Sequence, residues 1–356
     1  MVQAKENLIF NQDNQIINTI NAAVTFLLEA RSSEGWWLDY NTPSFGSSNE
    51  WVTAYVASIL AQVSKTNISN EVSKAVMDSW KLLSSTQRPS GGWGYNYSGV
   101  EDADSTSWAL NLAETIGAKN SATAKKARAF LETHKLPDSG MATFANEKTF
   151  RQCFKMIPPH ESIEGYCMMP HVCVSAASAA LPEFNFRLRD YLKAAQTSKG
   201  NWIGYWWRDD EFATALTAEA LVVGAQEDDQ SCIDRAITWG LKRLSLQGFV
   251  ATSDHPHGSP FATAMCVRLL LLDQGNSKVK TAIINATQWL LEQQQQNGSW
   301  TPSARLQVPY FHDRNPEQFT QWINNTGLPG STNFDRNSIH TTATVLCSLH
   351  KVAELL

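Results

Sequence analysis

Residues 91–112 read GGWGYNYSGVEDADSTSWALNL: a glycine–tryptophan turn, a short polar loop, an acidic cluster and then an apolar helix. The fold is decided by the recurrence of this unit. Glycine–aromatic turns return at Gly35-Trp36-Trp37, Gly91-Gly92-Trp93, Gly140 to Phe144, Gly200-Asn201-Trp202, Gly248-Phe249 and Gly298-Ser299-Trp300. Each follows a segment with apolar residues on one helical face, such as Ile16, Ile20, Val24 and Leu27, or Val72, Val76, Trp80 and Leu83. After each turn comes a second, more uniformly apolar helix. These begin at Trp51, Asp104, Cys173, Phe212, Phe261 and His340, and they align on a small hydroxyl residue two positions in: Thr53, Thr106, Ser175, Thr214, Thr263 and Thr342.

A uniformly apolar helix is covered on most sides, whereas a one-faced helix lies outside. Six such pairs predict an all-α fold, a single (α/α)6 barrel (toroid) of six helical hairpins. An open solenoid is the alternative, and no strand pattern competes. Residues 1–356 are expected to form one toroid domain with inserted loops at about 150–170 and 301–337. Loops of that length without periodicity suit lids or binding loops. Gln87, Gln247 and the run Gln293 to Gln296 lie just before turns, where their amides can cap neighbouring helices.

Net charge is −5 over 356 residues, which gives no basic footprint for nucleic acid. The six cysteines form no CxxC pair or metal-finger spacing, so free thiols and a cytoplasmic location are expected. Residues 1–14 do not read as a signal peptide, and no apolar run reaches a membrane span. Peripheral membrane contact and a partner subunit stay open.

Outer helix, Gln, then Gly-x-Trp resembles the QW-type repeat of squalene–hopene and oxidosqualene cyclases, a barrel also found in the β-subunits of protein prenyltransferases. Asp102-Ala103-Asp104-Ser105-Thr106 resembles the D-x-D-D-T motif of class II terpene cyclases, with Ser105 at the third acidic position. The resemblance implies a class II-type cyclase that protonates a terminal alkene or epoxide of a linear isoprenoid. It implies Asp104 as the proton donor, Asp102 as its auxiliary, and no cofactor, with Mg2+ an option where the substrate carries a diphosphate. Those cyclases usually have two barrels, and this chain has one.

The repeat alignment adds a spatial expectation. Trp51, Asp104, Cys173, Phe212, Phe261 and His340 should form a ring at one end of the central cavity. Aromatic faces there would stabilise a carbocation as they do other cations, and burial would keep the acid protonated. His340 and Ser105 would orient or support Asp104. Asp102, two residues earlier, is expected nearer the rim and the wetter of the two. Trp108, one turn into the same helix, and Arg208, beside a candidate anionic head group with Arg151, Lys155, Arg305 and Arg314, complete the binding set.

Two rivals differ in class. His340-Thr341 falls where prenyltransferase β-subunits carry a zinc ligand, and Asp254, His255 and His257 could join it in a metal-dependent prenyltransferase-like enzyme. The other rival is a non-catalytic toroid that holds a hydrophobic ligand.

Overall fold

The computed structural model describes residues 2–63, 70–137, 140–153, 160–223, 226 and 228–355. The outer helices are α1 (Val2–Glu29), α3 (Asn70–Thr86), α5 (Ala122–Glu132), α9 (Pro182–Ala194), α11 (Asp229–Arg243) and α13 (Ser277–Glu292). The inner helices are α2 (Glu50–Val63), α4 (Ala103–Thr115), α8 (Val172–Ala179), α10 (Asp210–Val222), α12 (Pro260–Leu270) and α14 (Ile339–Ala353). Each inner helix packs on the next, and α14 packs back on α2, so the ring closes and the open solenoid is set aside. Two short helices, α6 (Glu147–Cys153) and α7 (Glu164–Cys167), lie in the first insertion.

The turns explain why the repeat needs its residues. The indole Nε1 of Trp37, Trp93, Trp202 and Trp300 donates to the carbonyl ten residues back, at Leu27, Leu83, Leu192 and Leu290. The backbone N–H of the turn residue donates to the aligned hydroxyl of the inner helix in all six repeats, from Trp37–Thr53 to Trp300–Thr342. One hydroxyl thus fixes each inner helix against its own turn. The glutamine amides stitch repeats together. Gln87 donates to the carbonyls of Gly91 and Thr123, Gln196 to Gly200 and Cys232, and Gln294 to Gly298 and Thr19. Gln196 fills this place in the fourth repeat. The Gln294–Thr19 bond joins the last repeat to the first. Gly298 (φ +88°) shows why glycine is required: a Cβ there would lie 2.3 Å from the Ala22 carbonyl.

The expectation that no strands form needs correction. Seven short strands occur among the described residues, all in connections: β1 (Asp39–Thr42), β2 (Gly46–Ser48), β3 (Trp93–Gly94), β4 (Glu101–Asp102), β5 (Arg305–Val308), β6 (Ile323–Asn324) and β7 (Ser331–Phe334). β1 pairs with β2 and β3 with β4 as local antiparallel hairpins. β7 is central to a sheet in the second insertion, antiparallel to β5 and parallel to β6. Trp206 and Arg208 in turn bond across to β5.

Candidate active site

The motif residues lie where the short β3–β4 hairpin runs into α4. Asp102 is the N-cap of α4: its carboxylate accepts the backbone N–H of Ser105 at 2.6 Å and the Ser105 hydroxyl at 2.8 Å. Nearby, the buried Glu50 carboxylate accepts the Gly94 N–H at 3.1 Å and pairs with Arg88, whose guanidinium also donates to the Asn96 carbonyl. That pair fixes the loop between β3 and β4.

Asp104 is the second residue of α4 and is half-buried, facing a cavity of about 560 Å³. Burial holds its carboxyl well above the usual carboxylate range, and the neighbouring Asp102 pushes it further. The indoles of Trp51 and Trp108 lower it in part, although neither N–H attains full hydrogen-bond geometry with a partner. Asp102 is raised by burial to about 7, held there by the two Ser105 bonds that favour its charged form. The two carboxyls are therefore pushed apart, with Asp102 the first to ionise and Asp104 the one kept neutral. The expected reason was wrong. Asp102 is the more buried of the two, and its lower pKa comes from hydrogen bonds rather than from water.

The ring register holds at the backbone. Trp51, Asp104, Cys173, Phe261 and His340 are each second in their inner helix, and Phe212 is third. The cavity, however, takes only Trp51 and Asp104 from the ring. Trp207 fills the space between the others, its ring 4.2 Å from Phe212, 5.2 Å from Phe261 and 5.2 Å from His340. Phe212, Phe261 and the buried Cys173 are thus core beneath the cavity floor, not cavity wall. His340 stacks on Tyr55 at 4.1 Å, and neither of its ring nitrogens has a hydrogen-bond partner among the described residues. It does not support Asp104; the Trp51 and Trp108 indoles take that place. Burial in this apolar cage lowers the His340 pKa to about 3.

Arg208 also falls outside the cavity. Its guanidinium lies 5.0 Å over the Trp322 ring, beside a separate polar pocket. The other cations expected near a head group are engaged as well. Arg305 pairs with Asp209 and Asp254, Arg151 with Glu147, and Arg314 lies 3.9 Å from Glu164. Lys155 lies outside the described residues. The candidate metal set does not assemble: Asp254 is taken by Arg305, His255 bonds the Pro302 carbonyl, and His340 sits in the aromatic core. Among the described residues no group of three or more His, Cys, Asp or Glu side chains is placed to hold a metal. No described helix is long and apolar enough to cross a membrane.

Both insertions wall the cavity. Phe150 and Tyr166 come from the first; Leu306, Gln307 and Phe311 come from the second. With Tyr95, Phe144 and Trp206 they make an aromatic lining that repeat periodicity did not single out. The Trp206-Trp207 pair, set close after the Gly200 turn, was the available signal.

A scan against protein-family models and a search of the curated proteins returned no match. Solved structures do match. A variant of the type II terpene cyclase MstE from Scytonema, in complex with its substrate geranylgeranyl dihydroxybenzoate, is 53% identical over 98% of this chain and 100% of that chain, with a TM-score of 0.93. A variant of the same enzyme in complex with its product merosterolic acid A is 54% identical over 98% of this chain and 99% of that one, with a TM-score of 0.93. The ent-copalyl diphosphate synthase from Streptomyces platensis shares the fold at 18% identity over 85% of this chain and 50% of that one, with a TM-score of 0.56.

Proposed function

This chain belongs to the type II terpene cyclases, and from that premise we propose that Asp104 is its proton donor and a prenylated aromatic acid its substrate. The observation that carries the assignment is the split between the two carboxyls on the aromatic cavity: burial raises both, but the Ser105 bonds favour the charged form of Asp102, whose charge then pushes Asp104 further up. In the proposed step the terminal alkene's π pair forms a C–H bond to the Asp104 proton and leaves a tertiary cation. The next double bonds attack in turn. Loss of one proton at the end makes the product an isomer of the substrate.

The residues supply what this chemistry demands. Trp51, Phe144, Phe150, Tyr166, Trp206 and Phe311 put ring faces around the path of the cation. They also exclude the water that would quench it. Asp102, ionised first, keeps the neighbouring Asp104 protonated. The Ser105 bonds hold Asp102 in place for this.

The head group follows from charge. No Lys or Arg is among the described residues that line the cavity, whereas Ser44, Asn96, Ser98 and Asn333 are. A diphosphate, with its greater charge, would call for cations, and the neutral donors suit the phenolic hydroxyls of a hydroxylated aromatic acid. The similarity to an enzyme bound to geranylgeranyl dihydroxybenzoate supports the same class here. We propose further that the whole chain acts as one toroid domain needing no partner subunit. The support is that both insertions contribute wall to the same cavity. Incubating the purified protein with geranylgeranyl dihydroxybenzoate and with geranylgeranyl diphosphate tests this. Cyclisation of the first and not the second is expected; the reverse would overturn the head-group assignment.

A further inference from the structure

Proton-initiated cyclisation needs a group that takes a proton back, and among the described residues the carboxyls lining the cavity are Asp102 and Asp104. A buried hydrogen-bond network stands on the cavity wall, built on Thr143, His171 and Trp206. Thr143 lines the cavity and its backbone carbonyl accepts the Ala103 N–H at 3.0 Å, which places it beside the start of α4. Its hydroxyl lies 2.5 Å from His171 Nδ1 and 2.7 Å from Trp206 Nε1. His171 Nε2 lies 2.8 Å from the Gly165 carbonyl.

Donor and acceptor roles in this network are forced. A carbonyl only accepts and an indole N–H only donates. The Nε2 proton of His171 therefore goes to Gly165, and Trp206 donates to Thr143 Oγ. Burial pushes the His171 pKa down to about 3, so the ring is neutral and Nδ1 carries a lone pair. That lone pair accepts the Thr143 hydroxyl proton. One Thr143 lone pair is used by Trp206, and one is left.

Resting on the proposed cyclase reading, we infer that Thr143 is the proton acceptor that ends the cyclisation, with His171 as the positioning residue that takes Thr143's own proton. A C–H bond next to the final cationic carbon breaks, and its electron pair becomes the new C=C bond. The proton joins Thr143 Oγ while the original hydroxyl proton moves to His171 Nδ1. Threonine ends neutral and the imidazole becomes an imidazolium. Burial disfavours that charge, and the cost is offset in part by the bond from Nε2–H to the Gly165 carbonyl and by the Tyr205 ring stacked at 3.8 Å. A β-proton of a carbocation is acidic enough that even a weakly basic imidazole removes it. Asp104 gives one proton and His171 keeps one until the product leaves, so substrate and product remain isomers.

The test reads product identity, which a purely structural role would leave alone. Thr143→Val, Thr143→Ser and His171→Phe are incubated with geranylgeranyl dihydroxybenzoate, and products are resolved by chromatography and mass spectrometry. Thr143→Val removes the hydroxyl at constant shape, and His171→Phe keeps a ring on Tyr205 without the acceptor nitrogen. Both should divert the cation to other alkene isomers or to water-trapped alcohols. The ratio of main product to diverted products should fall at least about tenfold, since a positioned base contributes roughly 10²-fold or more. Thr143→Ser should restore the wild-type ratio. If Thr143→Val does not fold, Thr143→Ala and His171→Phe give the same readout. An unchanged product ratio in the folded variants, at whatever rate, overturns the inference. A wild-type protein that cyclises no prenylated aromatic acid overturns instead the reading on which it rests.

Discussion

At the residue scale the account turns on Asp102 and Asp104. Asp104→Asn keeps the shape and removes the acid, so turnover should drop by about 10³-fold or more while the melting profile stays that of a folded protein. Asp102→Asn should lose less and should move the pH profile. In the wild type the Asp102 charge helps keep Asp104 protonated. Removing that charge lowers the Asp104 pKa, so the alkaline fall in kcat/KM should shift to lower pH in Asp102→Asn. An unshifted profile would show that the two carboxyls do not interact. Stability carries the same sign. The folded-state pKa of Asp102, about 7, lies above the unfolded value near 4. Its contribution is complete below about pH 4 and is lost as pH rises through about 7. Thermal melts from pH 4 to 8 should show Asp102→Asn gaining on the wild type as pH rises. His340→Ala should cost stability more than chemistry, because His340 packs among Tyr55, Trp51 and Trp207 and does not touch the acid.

At the element scale, the helical hairpins were legible because each repeat writes its own local chemistry. The periodic faces, the turn glycines and the aligned hydroxyls are all short-range signals, and the hydroxyls proved to be the bonds that seat each turn. The strands were not legible. They are two to four residues long, too short to show alternation, and β5 depends besides on partners as distant as Trp206. For the same reason the column of inner-helix residues was found while its contents were misassigned: Trp207, carried on a connection, decides which side chains face the cavity. The turns give a direct stability test. Gly298→Ala drives a Cβ against the Ala22 carbonyl at positive φ and should cost on the order of 2–4 kcal/mol. Gly117→Ala, also at positive φ but with nothing within 4 Å, should cost only about 1 kcal/mol. Gln294→Ala removes the bond to Thr19 that ties the last repeat to the first, and the bond to Gly298 in its own turn, and should cost about 1–3 kcal/mol. Denaturant midpoints for the three variants check the order, and equal losses at Gly298 and Gly117 would contradict the packing argument.

At the scale of the whole molecule, a closed ring of inner helices gives a rigid frame, and the insertions turn one end of it into a cavity. The proposed acid, Asp104, comes from the frame, and most of the aromatic wall comes from the insertions and connections. That division lets one repeat architecture fix the donor while loop residues shape the path of the cation. A donor that is a carboxylic acid needs no metal, so a chelator should leave turnover unchanged; activity lost to the chelator and restored by a divalent ion would point to the metal-dependent alternative. The most direct test of the central claim is cyclisation in deuterated water, read by mass spectrometry of the purified product. The account predicts one non-exchangeable deuterium in a product otherwise isomeric with the substrate, and no product from Asp104→Asn. A cyclised product without deuterium, or full turnover by Asp104→Asn, would contradict it.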